Sequence, residues 1–199
     1  PFHPFLCATL RDASMIETLD KLVKRVDRIS LGLAYLGGAM LLATVALIAV
    51  EIVLRRIFSF ALGLGFELSG YVLAISSSWA FAYALFHKAH IRIDAAYVRL
   101  AQKTQVAFDI LALSVFVVFT LVVCHAAWGV VLESIDRGSL SNTPLQTPLW
   151  IPQALWVVGL TWFALATFLL LARVVAAAFS KDFDKVRELA GSPTLDEQL

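Results

Sequence analysis

The sequence has 199 residues, of which 60% are hydrophobic and 16% charged, and its formal net charge is +1. Soluble domains average roughly 45–50% apolar and 25% charged residues, so the composition excludes an ordinary soluble domain and indicates an integral membrane protein. A charge so close to zero provides no polyanion-binding surface, and nucleic acid is not expected as a partner.

Two short segments precede the first apolar run. Residues 1–13 show no periodicity and are predicted to be disordered. Residues 14–30 read SMIETLDKLVKRVDRIS, with apolar residues at helical spacing and a capping-box pattern at Ser14 and Glu17. Basic residues on the other face suit anionic headgroups, so we predict an amphipathic helix lying in the membrane interface. A helix docked on a soluble partner is the alternative.

Four apolar runs are each long enough to cross ~30 Å of hydrocarbon, which takes about 20 helical residues. They are residues 31–57, 62–86, 106–132 and 151–179. The predicted fold is therefore an all-α integral membrane protein in which the interfacial helix precedes a four-helix transmembrane domain, residues 31–179. Residues 180–199 then form a C-terminal tail.

The basic residues are distributed unevenly between the two sides of this topology. Five precede the first span, four lie in the second loop and four at the C-terminal end, against three in the two remaining loops. Because basic residues are retained on the cytoplasmic side, we expect both termini to be cytoplasmic.

Four charged residues lie at the outer end of the first helical hairpin. They are Glu51, Arg55, Arg56 and Glu67. Glu51 and Arg55 are four residues apart on one helical face, and Glu67 begins the next helix, so opposite charges can meet there. We predict an intrachain ion-pair cluster that fixes the hairpin. The alternative is that these side chains contact a partner protein.

The second span carries a small residue at every fourth position, namely Gly70, Ala74, Ser78 and Ala82. Small residues let helix backbones approach closely where lipid gives no hydrophobic incentive to associate. This face predicts a tight helix–helix contact. The spacing leaves open whether the contact is within the chain or with another protein.

Residues 87–94, HKAHIRID, are the strongest candidate for a metal or catalytic site. His87 and His90 could give two zinc ligands, but apart from Asp94 no further ligand lies nearby. A haem needs histidines at one depth, and His125 is expected near the opposite, outer boundary. The acids lie near helix ends. We therefore predict no catalytic, metal or cofactor site, and an interior without acid, base or nucleophile.

The run from Glu51 to Leu100 resembles the small membrane subunit (Q subunit, DctQ-like) of tripartite ATP-independent periplasmic (TRAP) transporters. The matching positions are Arg55, Glu67, Leu68, Trp79 and a family signature formed by His90, Ile91, Ile93 and Asp94. The resemblance continues through Pro148, Trp150, Pro152 and Gly159, and covers most of residues 15–180. The sequence departs from the family in having Gly65-Phe66-Glu67 where Trp and a second acid are usual.

The resemblance implies a small scaffold subunit of a sodium-coupled secondary transporter that imports small organic acids across the bacterial inner membrane. Its implied partners are the large TRAP membrane subunit, a transiently bound periplasmic solute-binding protein and the lipid bilayer. Residues 87–94 then form a helix-end signature whose basic groups complement the helix dipole. Two alternatives are the small subunit of a tripartite tricarboxylate transporter and a stand-alone membrane redox subunit.

Overall fold

The computed structural model describes residues 3–58, 63–87, 102–143 and 145–180, together with Asp182, Lys185, Val186 and Leu189; the side chains of residues 3–14 and 102–103 fall outside this description. Within these described residues four long helices occur: α1 (His3–Phe58), α2 (Leu64–Phe86), α3 (Gln102–Asp136) and α4 (Trp150–Phe179). Each is long and apolar enough to cross a membrane. The prediction of an all-α membrane protein with four spans is confirmed.

Helix α1 runs without interruption through the predicted interfacial helix and the first span. No proline occurs between Pro4 and Pro144, so nothing in this stretch removes a helical hydrogen bond. The helix begins at His3, within the segment predicted to be disordered. The boundaries proposed for residues 1–13 and 14–30, and the placement of the latter in the membrane interface, stay predictions.

The end of α3 is set by a glycine. Gly138 has a φ of 58°, and Ser139 N donates to Ser134 O at 3.0 Å while Gly138 N donates to Ile135 O at 3.1 Å. These two bonds form a Schellman motif, which satisfies carbonyls that the helix leaves without partners. Helix α3 therefore extends to Asp136, four residues beyond the predicted end of the span.

The chain divides into two compact units. Unit 1 comprises residues 1–28, 84–119 and 164–199, so far as they are described. Its buried side chains include Val26, Val117 and Val174. Arg173, only 4% exposed, donates from Nε and Nη2 to the Asp20 carboxylate at 2.6 and 3.1 Å. This ion pair joins the N-terminal part of α1 to α4.

Unit 2 comprises residues 29–83 and 120–163. Its hydrophobic core is a cluster of α3 and α4 side chains: Ala127, Val131, Val157 and Leu160, with Val123, Ala154 and Trp156 packed against it. Indole hydrogen bonds add to this packing, because Trp162 Nε1 donates to Ser30 Oγ at 2.9 Å and Trp128 Nε1 to Thr161 Oγ1 at 3.2 Å. The candidate site lies within this unit.

Candidate functional site

Glu51 is a buried carboxylate near the end of α1, with only 7% of its surface exposed. Its Oε1 accepts a hydrogen bond from Gly63 N and its Oε2 from Gly65 N, both at 2.8 Å. The first amides of a helix have no intrahelical partner, and the positive end of the helix dipole favours an anion there. Glu51 thus caps α2 from the neighbouring helix and fixes the first hairpin.

Gly65 is required by this contact. A Cβ at this position would lie 2.8 Å from Glu51 Oε2 and 3.0 Å from Ile48 Cγ1. Only a residue without a side chain lets the α2 backbone approach the carboxylate so closely. The Gly65-Phe66-Glu67 departure noted in the sequence therefore coincides with a close approach of α2 to α1.

Glu67 is also a buried carboxylate, with 6% of its surface exposed, and its hydrogen-bond donors are side-chain hydroxyls. It accepts hydrogen bonds from Tyr71 Oη at 2.8 Å and from Thr143 Oγ1. Thr143 belongs to the α3–α4 loop, which is itself folded: Ser141 N donates to Thr147 O at 2.9 Å. Glu67 therefore ties the start of α2 to a loop that lies 76 residues further along the chain.

The two arginines of the predicted cluster lie apart from these bonds. Arg55 and Arg56 are exposed, and among the described residues neither forms an ion pair with Glu51 or Glu67. The structure thus differs from the predicted intrachain ion-pair cluster, because backbone amides and hydroxyls supply the donors that we expected from arginine. The alternative, a contact of these arginines with a partner, stays a prediction.

A groove of about 370 Å³ opens between α1 and α2 beside Glu51. Its walls are apolar at Ile48, Ile52 and Phe66, and Arg55 supplies a positive charge. Both Glu51 oxygens already accept hydrogen bonds from amides, so the acid of this groove is engaged in capping. The arrangement is suited to structural support.

The predicted small-residue face of α2 is divided. Ser78 and Ala82 are buried, whereas Gly70 and Ala74 are exposed, and a Cβ at Gly70 would meet nothing within 4 Å. The contact within the chain is therefore confined to the C-terminal half of the face. Burial of the other half against another protein stays a prediction.

Two glycines that the packing prediction missed, one in α1 and one in α4, make close contacts with α2. A Cβ on Gly37 would lie 3.1 Å from Ser76 Cα, and one on Gly159 would lie 2.9 Å from Ser78 Cβ and nearer still to its Oγ. Trp79 Nε1 adds a hydrogen bond to Leu155 O at 3.0 Å. These contacts could have been predicted from the sequence, because each glycine lies inside an apolar span where no turn requires it.

The family signature His90, Ile91, Ile93 and Asp94 lies outside the described residues. Of the neighbouring stretch, His87 is described, and its Nδ1 lies 3.8 Å from Asp27 Oδ1 in unit 1. Both side chains are substantially exposed, so this pair contributes little. In the part of the chain that the structure describes, no three His, Cys, Asp or Glu side chains are grouped as metal ligands.

Residues 44–178 match the family model described as tripartite ATP-independent periplasmic transporters, DctQ component. The match covers about two thirds of the chain and includes Glu51, Gly65, Glu67 and Gly159, which carry the contacts above. It confirms the resemblance that the sequence motifs indicated. Neither a curated protein nor a solved structure matches the chain.

Proposed function

Because the chain belongs to the DctQ component family of tripartite ATP-independent periplasmic transporters, we propose that it is the small subunit supporting the large membrane subunit of a sodium-coupled importer of small organic acids. The observation that carries this proposal is the family match over residues 44–178. The family is a transporter component and not an enzyme, and four helices able to span a membrane fit it.

A supporting role agrees with how the chain uses its buried charged groups. Glu51, Glu67 and Arg173 each bond to another segment of the chain, and each is less than a tenth exposed. A site that binds and releases solute or ions needs polar groups that can exchange partners inside the membrane. A carboxylate held by backbone amides, as Glu51 is, and another held by hydroxyls, as Glu67 is, favour a fixed support over a moving gate.

The location and partners follow from the same family. We place the subunit in the bacterial inner membrane, beside a large membrane subunit to which a periplasmic solute-binding protein delivers the solute. We also place both termini in the cytoplasm, because the four predicted spans group 13 of the 16 basic residues on the same side as the termini.

Reporter fusions test this orientation. Alkaline phosphatase, which is active only outside the cytoplasm, should be inactive when fused after Leu199 and active when inserted near Ser141, in the α3–α4 loop. The reverse pattern would overturn the topology while leaving the family assignment intact.

Reconstituted transport tests the function itself. The chain should be co-expressed with its large subunit, purified by a tag on the small subunit and placed in proteoliposomes with the binding protein outside. Uptake of a radiolabelled organic acid should require an inward sodium gradient, the binding protein and the small subunit. Uptake that is equal without the small subunit would contradict the supporting role. Uptake driven equally by potassium would contradict sodium coupling alone.

A further inference from the structure

His125 is an imidazole on the exposed side of α3, and it forms no hydrogen bond or ion pair with any residue that the structure describes. It lies eight residues before Glu133, whose carboxylate pairs with Arg137 at 2.8 Å near the end of the helix. At 1.5 Å per residue, His125 is about 12 Å below that exposed ion pair. We expected it near the outer boundary, and this spacing along α3 favours a deeper position.

Helix α4 gives a second measure of the same depth. Cys124 Sγ lies 3.4 Å from Thr161 Oγ1, so the two helices are level at this point. Thr161 is eleven residues after Trp150, the first residue of α4, which corresponds to about 16 Å. Half of the hydrocarbon thickness is about 15 Å, so His125 lies well inside the apolar layer.

An imidazole at this depth needs a polar partner. Lipid tails neither donate nor accept hydrogen bonds, and an unsatisfied polar group there is costly. The side chain is also too short to reach the headgroups, unlike the long chains of Lys and Arg. A protein group at the same depth is the natural source of a hydrogen bond.

The surface around His125 is shaped for a close neighbour. Gly129, one turn further along α3, is exposed, and a Cβ there would meet nothing within 4 Å. Val122 is exposed on the same side. At about 100° per residue, Val122 and Gly129 both lie within roughly 60° of His125 around the helix. Glycine beside a polar side chain lets a second helix approach closely enough to bond to it.

We propose that this His125 face, formed by Val122, His125 and Gly129, binds a transmembrane helix of the large membrane subunit. That helix presents a hydroxyl, amide, carboxylate or backbone carbonyl opposite the imidazole. The inference rests on the proposed function, because the family is one component of a multi-component transporter and its natural neighbour inside the membrane is the large subunit. It adds which face of the small subunit makes the contact.

Photocrosslinking in the co-expressed complex tests the assignment directly. A benzophenone side chain at Val122 should crosslink to the large subunit. The matched control is Val130, also exposed but about 140° from His125, where the crosslink should be much weaker. A crosslink from Val122 to a second copy of this chain, or no protein crosslink at all, would overturn the proposal in favour of self-association or a lipid-facing surface.

Substitutions then test the hydrogen bond. His125→Leu should speed dissociation of the large subunit in detergent about threefold, the effect of an average interhelical hydrogen bond, while His125→Gln should stay closer to the unsubstituted chain. Gly129→Leu should weaken association further, because the leucine side chain would fill the space through which the second helix approaches. Ala126→Leu adds similar bulk about 100° from His125 and should have little effect. If a variant fails to accumulate in the membrane, the comparison of crosslinking at Val122 and Val130 decides whether the proposal stands.

The complex without substitutions distinguishes a failure of the proposed function from a failure of the assignment of the His125 face. If the small subunit does not retain the large subunit at all, the proposed function fails and this inference fails with it. If it does retain it, and His125→Leu and Gly129→Leu dissociate at the unsubstituted rate, the face is wrong and the proposed function stands.

Discussion

In the C-terminal half of α2, Ser76 and Ser78 lie against glycines of α1 and α4, whereas in the N-terminal half the contacts are made by the carboxylates of Glu51 and Glu67. Within unit 2, α2 is thus held by close van der Waals packing along one half and by hydrogen bonds along the other. The closely packed half has no room for a larger side chain at the contacting glycines. The half held by hydrogen bonds depends on charge and on free helix amides.

This difference follows from the surroundings of each half. Lipid tails are as apolar as the helix surface, so helices inside the bilayer associate through close van der Waals packing, which glycine and serine permit. At a helix start the amides need acceptors, and a carboxylate satisfies them while complementing the dipole. The predictions below compare the two kinds of contact, in order of expected effect.

Gly159→Leu should be the most damaging single change. Even the Cβ would lie 2.9 Å from Ser78 Cβ, so the helices must separate. We expect a loss of about 3 kcal/mol or more in the free energy of unfolding. Thermal melting of the purified complex in detergent measures it. Gly38→Leu is the matched control, because a Cβ at Gly38 meets nothing within 4 Å. Equal melting of the two variants would contradict the close contact.

Glu51→Gln should come second, with a loss of about 1.5–3 kcal/mol, since hydrogen bonds to a charged group are lost. The amide offers one acceptor where Gly63 N and Gly65 N need two. Its NH₂ group would face one of these donors. A melting temperature unchanged by Glu51→Gln would show that the cap contributes nothing.

Glu67→Gln should be milder, at less than about 1 kcal/mol. Its partners are the hydroxyls of Tyr71 and Thr143, which can rotate and accept a hydrogen bond from the new amide. The informative measurement is the difference between the two Glu→Gln variants in the same melting assay. A larger loss of stability for Glu67→Gln than for Glu51→Gln would contradict the expectation that hydrogen bonds from backbone amides matter more here than those from hydroxyls.

Ala74→Leu should have the smallest effect on the stability of the subunit, within about 0.5 kcal/mol, because Ala74 is exposed in the chain. Helix content and SDS resistance of the subunit report on this. Destabilisation would show that the exposed half of the α2 face is covered by the chain itself. Normal stability with reduced retention of the large subunit would identify that half as a partner contact.

The sequence predicted the four helices well because length and hydropathy decide them. Burial within the chain covers only half of the predicted small-residue face, and the reason is geometric. Four residues turn a helix by about 400°, so each step along the face drifts by about 40° and Ala82 lies about 120° around from Gly70. Small residues spaced four apart therefore face one neighbouring helix at one end of the series and a different direction at the other end. Buried Ser78 and exposed Gly70 show this drift.

The hydrogen bonds at the charged corner differ from the ion pairs that the sequence spacing indicated. Spacing placed Glu51, Arg55 and Glu67 near one another, and the rule for residues four apart favoured an ion pair. The competing donors were backbone amides, which sequence spacing does not reveal, and Thr143, whose position depends on how the α3–α4 loop folds.

The separation between Glu67 and Thr143 also bears on how the protein is made. A ribosome adds about 5–20 residues per second, so Glu51 gains its amides, 12 and 14 residues later, within about 1–3 s of its own synthesis. Glu67 must wait 76 residues for Thr143, about 4–15 s at the same rate. The first hairpin can therefore close while the rest of the chain is still being translated. Until the α3–α4 loop is translated, Glu67 has Tyr71 as a bonding partner but lacks Thr143.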